Sequence, residues 1–308
     1  MTHGELFAGI SGFGLGFEAN GIETLWAVDI DKNCKRVQKH HYLDRLWFDD
    51  VCTVDKHNLP YVDIISFGSP CQDLSIAGKR GGLKGERSGL FFEAIRIVRE
   101  LKPAIAIWEN VPGAFSSNSG RDFLAVITAF RECGARQFGW RTIDAQYCGV
   151  PQRRRRIILI ADFRGERVGR ILFKPESMCR DFTESKKAGK DVAFTLNTHT
   201  GSSSCKGEGG INTTLIAGTL NSGAHPGGFN GQDVGNLVVP PLTCDPYGDK
   251  ISGVRRLTPV ECERLQGFPR DWTLADGIPD SARYRMLGNA VNVAVTKRLG
   301  KNIVEANR

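Results

Sequence analysis

The sequence predicts an α/β fold, an open parallel sheet with helices between its strands, joined to a smaller, loop-rich second unit. Three observations predict it. Short apolar runs ending in polar residues, at 24–28, 62–67, 104–108 and 157–161, alternate with segments of helical period. The first strand-to-helix connection is a glycine turn, Phe7-Ala8-Gly9-Ile10-Ser11-Gly12. From about residue 175 the composition shifts, and residues 201–235 hold ten glycines with few large apolar residues and no sustained periodicity. A chain of 308 residues is long enough for one large α/β domain plus such a unit.

Residues 3–7 form the first strand, and Phe17-Glu18-Ala19 reads as the opening of the helix that follows the turn. Glycines let backbone approach a ligand, and a helix N-terminus favours electron-rich groups. The strand Thr24–Val28 then delivers Asp29, an acid able to accept hydrogen bonds from ribose hydroxyls. Turn and acid together fit two ligands, a nicotinamide or flavin dinucleotide or S-adenosylmethionine. A helix over Lys32–His41 leads to Asp49-Asp50-Val51, a candidate adenine-edge contact.

The strand at 62–67 ends in Gly68-Ser69-Pro70-Cys71-Gln72, and a Gly- and Lys/Arg-rich loop follows. A free cysteine is most often a small buried hydrophobe, so a nucleophilic role for Cys71 rests on what the rest of the chain supplies. Helical period resumes near Ser88 and stops at Pro103, and the next strand, 104–108, is tipped by Glu109-Asn110-Val111. Ligands gather at the carboxyl ends of strands in an open parallel sheet, which brings Cys71 and Glu109 to one cleft.

A helix over Asp122–Cys133 and a strand over Arg141–Gln146 precede Gln152-Arg153-Arg154-Arg155-Arg156. As this run enters the strand at 157–161, Gln152, Arg154 and Arg156 should face one way and Arg153 and Arg155 the other. In the second unit, Thr195-Leu196-Asn197, Thr219-Leu220-Asn221 and Leu242-Thr243-Cys244 read as short strands or corners. The tail carries a helix with Thr258 as N-cap, Pro259 at its first position and Gly267 as terminator. A last helix is expected to open at Leu287-Gly288-Asn289-Ala290 and to reach about Arg298.

The nine cysteines are odd in number and scattered, with no pair two residues apart, which argues for a reducing compartment and against a zinc site. No basic leader and no apolar run approaching membrane length is present, so secretion and membrane spanning are not expected. The formal charge of +7 fits a polyanionic partner. Residues 150–174 hold eight Arg/Lys against two acids, whereas 175–255 hold seven against eight. Phosphate affinity is therefore expected from 150–174.

These residues, taken in order, resemble the cytosine-5 DNA methyltransferases. The resemblance rests on Phe7-x-Gly9-x-Ser11-Gly12, Asp29, Asp50, Pro70-Cys71-Gln72, Gly89-Leu90-Phe91 and Glu109-Asn110-Val111. It continues through Gln152-x-Arg154-x-Arg156, Leu257-Thr258-Pro259, Gln266-Gly267-Phe268-Pro269 and Gly288-Asn289-Ala290-Val291. It covers nearly all of the chain outside about 175–250. Ser11 departs from the family's usual glycine, and Asp29 from its more frequent glutamate. The resemblance implies a Rossmann-like S-adenosylmethionine-dependent methyltransferase domain over 1–174 plus 281–308, with a loop-rich target-recognition domain and hinge over 175–280.

It further implies that S-adenosyl-L-methionine is held by Phe7, Gly9, Ser11, Gly12, Asp29, Ile30, Asp50, Val51, Pro70, Leu90, Asn289 and Ala290. Cys71, Glu109, Arg154 and Arg156 would be catalytic: Cys71 attacks carbon 6 of a flipped-out cytosine, under a lid formed by 71–88, and methyl transfer to carbon 5 follows. Double-stranded DNA is the implied partner of a monomeric, cytoplasmic, nucleoid-associated enzyme without metal. The short segment before Phe7 suggests a solitary bacterial or phage type, which leaves room for a cognate restriction endonuclease. A tRNA cytosine-5 methyltransferase shares the chemistry. A DNA-binding pseudoenzyme is disfavoured by intact Cys71, Glu109 and Arg156, and an oxidoreductase leaves the Pro-Cys-Gln and Gln-x-Arg-x-Arg stretches unexplained.

Overall fold

The computed structural model describes residues 1–69, 89–173 and 257–308, together with the backbone of two short strands, Leu237–Val238 and Arg255–Arg256. The expectations for Pro70, Cys71, the 71–88 loop and most of the second unit, including its three recurring snatches, lie outside the described residues.

A seven-stranded sheet organises the described chain. Its strands are β1 (Thr2–Leu6), β2 (Glu23–Val28), β3 (Leu46–Phe48), β4 (Ile64–Phe67), β5 (Ile105–Asn110), β6 (Gln137–Asp144) and β7 (Arg155–Asp162). The order across the sheet is β3-β2-β1-β4-β5-β7-β6. The first five strands in that order pair parallel, while β7 runs antiparallel to both β5 and β6. The sheet is thus mixed rather than all parallel. β7 can reverse because the chain returns from β6 through one short helical turn, Ala145–Cys148, and needs no crossover helix.

Connections run to opposite sides from β1 and β4, which makes their shared carboxyl end a switch point where a crevice opens. Leu6 pairs with Phe67, and Phe67 pairs with Trp108. The glycine turn, the Gly68-Ser69 tip and Glu109 therefore leave three adjacent strands on one edge.

Helices α1 (Gly12–Glu18), α2 (Lys32–His41), α3 (Gly89–Leu101), α4 (Arg121–Glu132) and α5 (Val168–Leu172) join the strands. Three more follow, α6 (Pro259–Leu265), α7 (Asp280–Asn289) and α8 (Val293–Ala306). α2 starts where Asp31 accepts from the Asn33 N–H at 2.8 Å, and Lys39, His40 and His41 oppose its terminal dipole. α3 buries Phe91, Ala94, Ile95 and Val98 at helical spacing and ends before Pro103. α6 is closed by a capping box between Thr258 and Glu261, with Pro259 in its first turn and Gly267 beyond its end at φ +77°.

Apolar residues cover both sheet faces, one layer centred on Phe67, Trp108 and Leu159, the other on Ile64, Ile107 and Ile160. A third cluster joins Ile10, Cys34 and Val37 to Leu257, Phe268, Trp272 and Ile278. Residues 257–279, grouped by sequence with the recognition unit, thus share a core with the cofactor turn.

Three elements differ from expectation. The helix expected to open at Phe17 already spans Gly12–Glu18, since its first turn starts directly at the glycine turn, where the Leu15 N–H donates to the Ser11 carbonyl. The strand expected at 141–146 begins earlier and ends at Asp144, because it pairs residue by residue with β7 from Gln137↔Asp162 to Asp144↔Arg155. The single helix expected from Leu287 to Arg298 is two: α7 ends at Asn289, Ala290 is extended at ψ 145°, and Asn292 starts α8 by accepting from the Ala294 N–H at 2.9 Å. β3 and α5, only three and five residues long, have too little pattern to predict.

Candidate active site

The turn after β1 is strained. Phe7, Gly9 and Ser11 all take left-handed backbone, with φ of 52°, 53° and 64°, and for Phe7 and Ser11 this costs about 1 kcal/mol or more each. At Gly9 a side chain would meet nothing within 4 Å, so the space above it is open to a ligand. Gly12 is glycine for another reason, since a Cβ there would lie 2.6 Å from the Val291 carbonyl. The Gly9 N–H donates to Asp29 Oδ2 at 2.7 Å, and the Asp31 N–H donates to Asp29 Oδ1 at 2.8 Å. Each carboxylate oxygen keeps acceptor capacity. Burial pushes the Asp29 carboxyl up, and the two N–H donors oppose it.

Ile30, next in the chain, is 78% exposed, an apolar side chain left outside every core. Asp29 reaches the edge of the crevice through its N–H bond to the Phe48 carbonyl at 3.1 Å, which brings the 49–51 segment alongside. Asp50 accepts from the Cys52 N–H at 2.8 Å, and Val51 packs into the core beneath. Leu90 packs against that core at the start of α3. Open backbone at Gly9, a carboxylate with spare acceptors and an exposed apolar side chain beside it fit an adenosyl group: ribose on Asp29, a base face on Ile30.

At the second strand tip, a Cβ on Gly68 would lie 3.0 Å from Glu109 Oε2, so glycine leaves room for that carboxylate. Ser69 is buried, its hydroxyl accepting from Trp108 Nε1 at 3.2 Å and its carbonyl from Asn110 Nδ2 at 3.3 Å. Both bonds tie the chain to β5 immediately before Pro70.

At the third tip, Glu109 Oε1 pairs with Arg156 Nε at 2.9 Å, with the side chains 12% and 13% exposed. Burial pushes the Glu109 carboxyl up against the pull of Arg156 and Arg154. The alternation expected of the arginine run is present: Gln152 and Arg154 are buried and Arg156 is nearly so, while Arg153 and Arg155 are exposed. Arg154 Nη2 donates to the carbonyls of Gly288 and Ala290 at 2.9 and 2.8 Å. The break between α7 and α8 supplies those carbonyls, placing Ala290 in the third core and Asn289 at the surface. Among the described residues Nε and Nη1 of Arg154 have no hydrogen-bond partner, and burial together with Arg156 brings its pKa down to about 9.

The basic stretch 150–174 does not act as one patch. β7 carries Arg155 and Arg156 at the cleft end and Asp162 at the other, seven residue steps or about 23 Å away. Beyond it Arg164 donates to the Tyr61 hydroxyl and Arg167 is paired with Asp162. Only the first half of the run lies beside the crevice.

Three further residues were missed from sequence. Glu5 lies buried beneath the turn, Arg45 sits against Ser11, and Gln38 donates from Nε2 to the Gly9 carbonyl at 2.9 Å. β1 reads Thr-His-Gly-Glu-Leu, so nothing local marks Glu5 as buried. Nothing local marks Arg45 or Gln38 either.

Among the described residues no group of three or more His, Cys, Asp or Glu side chains is placed to hold a metal ion, and no helix is long and apolar enough to cross a membrane. Compared with known proteins, the chain is 31% identical over 307 residues to the Type II methyltransferase M2.BsuMI of Bacillus subtilis (strain 168), a match spanning 97% of this chain and 74% of that protein. It is 28% identical to M.Bsp6I of Bacillus sp. (strain RFL6), across 98% of both. Its fold resembles that of a DNA modification methyltransferase encoded within an E. coli prophage, with TM-score 0.64, 18% identity and coverage of 100% and 99% of the two chains. The S. pombe Dnmt2 methyltransferase is similar at TM-score 0.62 and 17% identity, over the full length of both chains. The family description C-5 cytosine-specific DNA methylase matches residues 1–305, and the chain belongs to that family, whose members methylate DNA cytosine with S-adenosylmethionine.

Proposed function

We propose that this enzyme methylates carbon 5 of a cytosine extruded from duplex DNA, through a transient bond between Cys71 and carbon 6, as a modification enzyme of Type II kind. The observation that supports it most is the meeting of three strand ends at one crevice: the open turn at Gly9, the Gly68-Ser69 tip and the Glu109–Arg156 pair. Cys71 follows Ser69 by two residues, at most about 7 Å of chain. The Type II assignment follows the names of the bacterial relatives.

Carbon 5 of cytosine is a poor nucleophile. Attack of the Cys71 thiolate on carbon 6 turns the ring into an enamine whose carbon 5 is electron-rich. A free thiol, with a pKa of about 8.5, is only a few per cent ionised at neutral pH. Lys79, Arg80, Lys84 and Arg87 outnumber Asp73 and Glu86 in the following segment and favour the anion. Glu109, pushed up by burial, holds a proton at ring N3 as negative charge accumulates. Arg156 orients Glu109 and holds the O2 carbonyl with its remaining N–H groups. Arg154 ties the 288–290 backbone to this side of the crevice and raises the local positive potential. Bound S-adenosylmethionine supplies the electrophilic methyl group. The carbon 5 proton then leaves to a base, the carbon 6–sulfur bond breaks and Cys71 is free again.

Neither carbon can be reached inside a duplex, so the base is flipped at a cost of a few kcal/mol. Exposed Arg153 and Arg155 face the backbone phosphates, and residues 175–254 read the sequence. The test is transfer of tritiated methyl from S-adenosylmethionine to duplex DNA and to tRNA offered together. Label in DNA that is lost in Cys71→Ser supports the proposal. Label in tRNA alone, or full transfer by Cys71→Ser, overturns it.

A further inference from the structure

Behind the strained cofactor turn lies Arg45, bonded to two of the side chains that hold it. This residue sits in the loop between α2 and β3, and its side chain is only 4% exposed. Its guanidinium lies over the Tyr42 ring, 3.3 Å from the centroid. Nη1 donates to the Ser11 hydroxyl at 2.7 Å and to Gln38 Oε1 at 3.0 Å, and Nη2 is paired with Glu18. The two Nη1 bonds lead back to the turn. Gln38 passes its own Nε2–H to the Gly9 carbonyl at 2.9 Å. The Ser11 hydroxyl, accepting from Arg45, donates onward to Glu5 Oε2 at 3.0 Å. Glu5 in turn accepts the first-turn N–H groups of Phe13 and Gly14 at 3.2 and 3.3 Å.

The direction of the chain is fixed, because arginine only donates, a hydroxyl has one proton, and that proton goes to the carboxylate. Ser11 is therefore more than a small residue tolerated where glycine is usual. Its hydroxyl joins a buried guanidinium to a buried carboxyl group, and the two bonds offset the cost of a left-handed φ of 64°. Glycine there would relax the backbone and cut the link.

We propose that Arg45 is a positioning residue for cofactor binding, acting through Ser11 and Gln38 to hold the Phe7–Ser11 turn open for the ligand. It reaches the turn from behind, through other side chains, and so is not a catalytic residue. This rests on the assignment of that turn to S-adenosylmethionine.

The test measures binding of S-adenosylhomocysteine by calorimetry, with melting temperature and DNA affinity measured on the same proteins. Asp29→Ala tests the turn itself. Arg45→Ala should weaken binding by roughly tenfold or more, the size of a lost charged hydrogen bond. At saturating cofactor its kcat should stay within about threefold of wild type, with DNA affinity unchanged. Arg45→Lys should recover part of the loss, since one ammonium keeps the charge beside Glu18 but cannot also hold Ser11 and Gln38. Ser11→Gly removes the link without burying an unpaired charge. It should weaken binding roughly three- to tenfold with no fall in melting temperature, and should add little in the Arg45→Ala background.

If Asp29→Ala binds normally, the turn assignment fails and the proposal with it. If Asp29→Ala loses binding while Arg45→Ala and Ser11→Gly keep it, the role of Arg45 alone is overturned. Equal losses in melting temperature, DNA affinity and kcat for Arg45→Ala, with no effect of Ser11→Gly, also overturn it.

Discussion

Two carboxylate–arginine pairs lie at opposite ends of the β5–β7 ladder, and their chemistry is opposite. At the far end Asp162 is buried and would be pushed up by that burial. Arg167, at 2.7 Å, and the N–H groups of Gly165, Arg164 and Arg167 instead pull it down to about 2. At the cleft end Glu109 has Arg156 at a similar 2.9 Å but no comparable set of backbone donors among the described residues, and burial prevails. An ion pair alone does not decide a carboxylate's state. Between these two pairs the difference lies in the backbone N–H donors set against burial, and the carboxylate that burial wins is a candidate to hold a proton or a ligand.

Three experiments press on that contrast. The largest effect is expected from Glu109→Gln, which removes the proton-holding group and keeps the shape. kcat for methyl transfer should fall about 10²- to 10⁴-fold, with melting temperature and S-adenosylhomocysteine binding unchanged, and a loss confined to KM would erase the difference between the two ends.

Asp162→Asn should do the reverse and cost about 2 kcal/mol of stability at neutral pH, seen as a melting temperature several degrees lower, while kcat at low temperature is retained. Because Asp162 is depressed in the folded chain, its contribution is complete above pH 3.8, the ordinary value, and disappears as pH falls through about 2. An unchanged acid limb of the stability curve in Asp162→Asn would contradict this.

A third effect concerns Glu5, which burial raises from 4.5 to about 7 against the pull of Arg45, Ser11 and the Phe13 and Gly14 N–H groups. The folded chain then holds a proton that the unfolded chain has released, so stability declines as pH rises between those values, by about 1 kcal/mol per pH unit. Glu5→Gln should flatten that decline in urea titrations at pH 5, 6 and 7. A slope that persists in the variant places its source elsewhere.

Much of the cleft was legible in the sequence, because strand tips announce themselves as a polar residue ending an apolar run. Glu109 and the glycine turn came from that signal, and the alternation of Gln152, Arg154 and Arg156 from the period of an extended chain. What stayed hidden was long-range. Arg45 meets Ser11 from 34 residues away, and Arg154 meets Ala290 from 136, and no local pattern encodes either meeting. Asn292 was hidden differently, a helix cap inside a run whose apolar spacing continues across it. Arg164 and Arg167 misled because nearness in sequence says nothing about which end of a strand a residue occupies.

The glycines of α1 also bear on how this protein is made. Gly12 and Gly16 lie flush against α8, where the Thr296 hydroxyl donates to the Gly12 carbonyl across 284 residues of chain. While the polypeptide is still being synthesised, the first helix therefore presents a bare flank with nothing to dock on. The packing of this helix, which begins at residue 12, is finished only once α8 has been made. Contacts this distant in sequence form late. Ligand-assisted folding of the cofactor turn can therefore act only after α8 has been made.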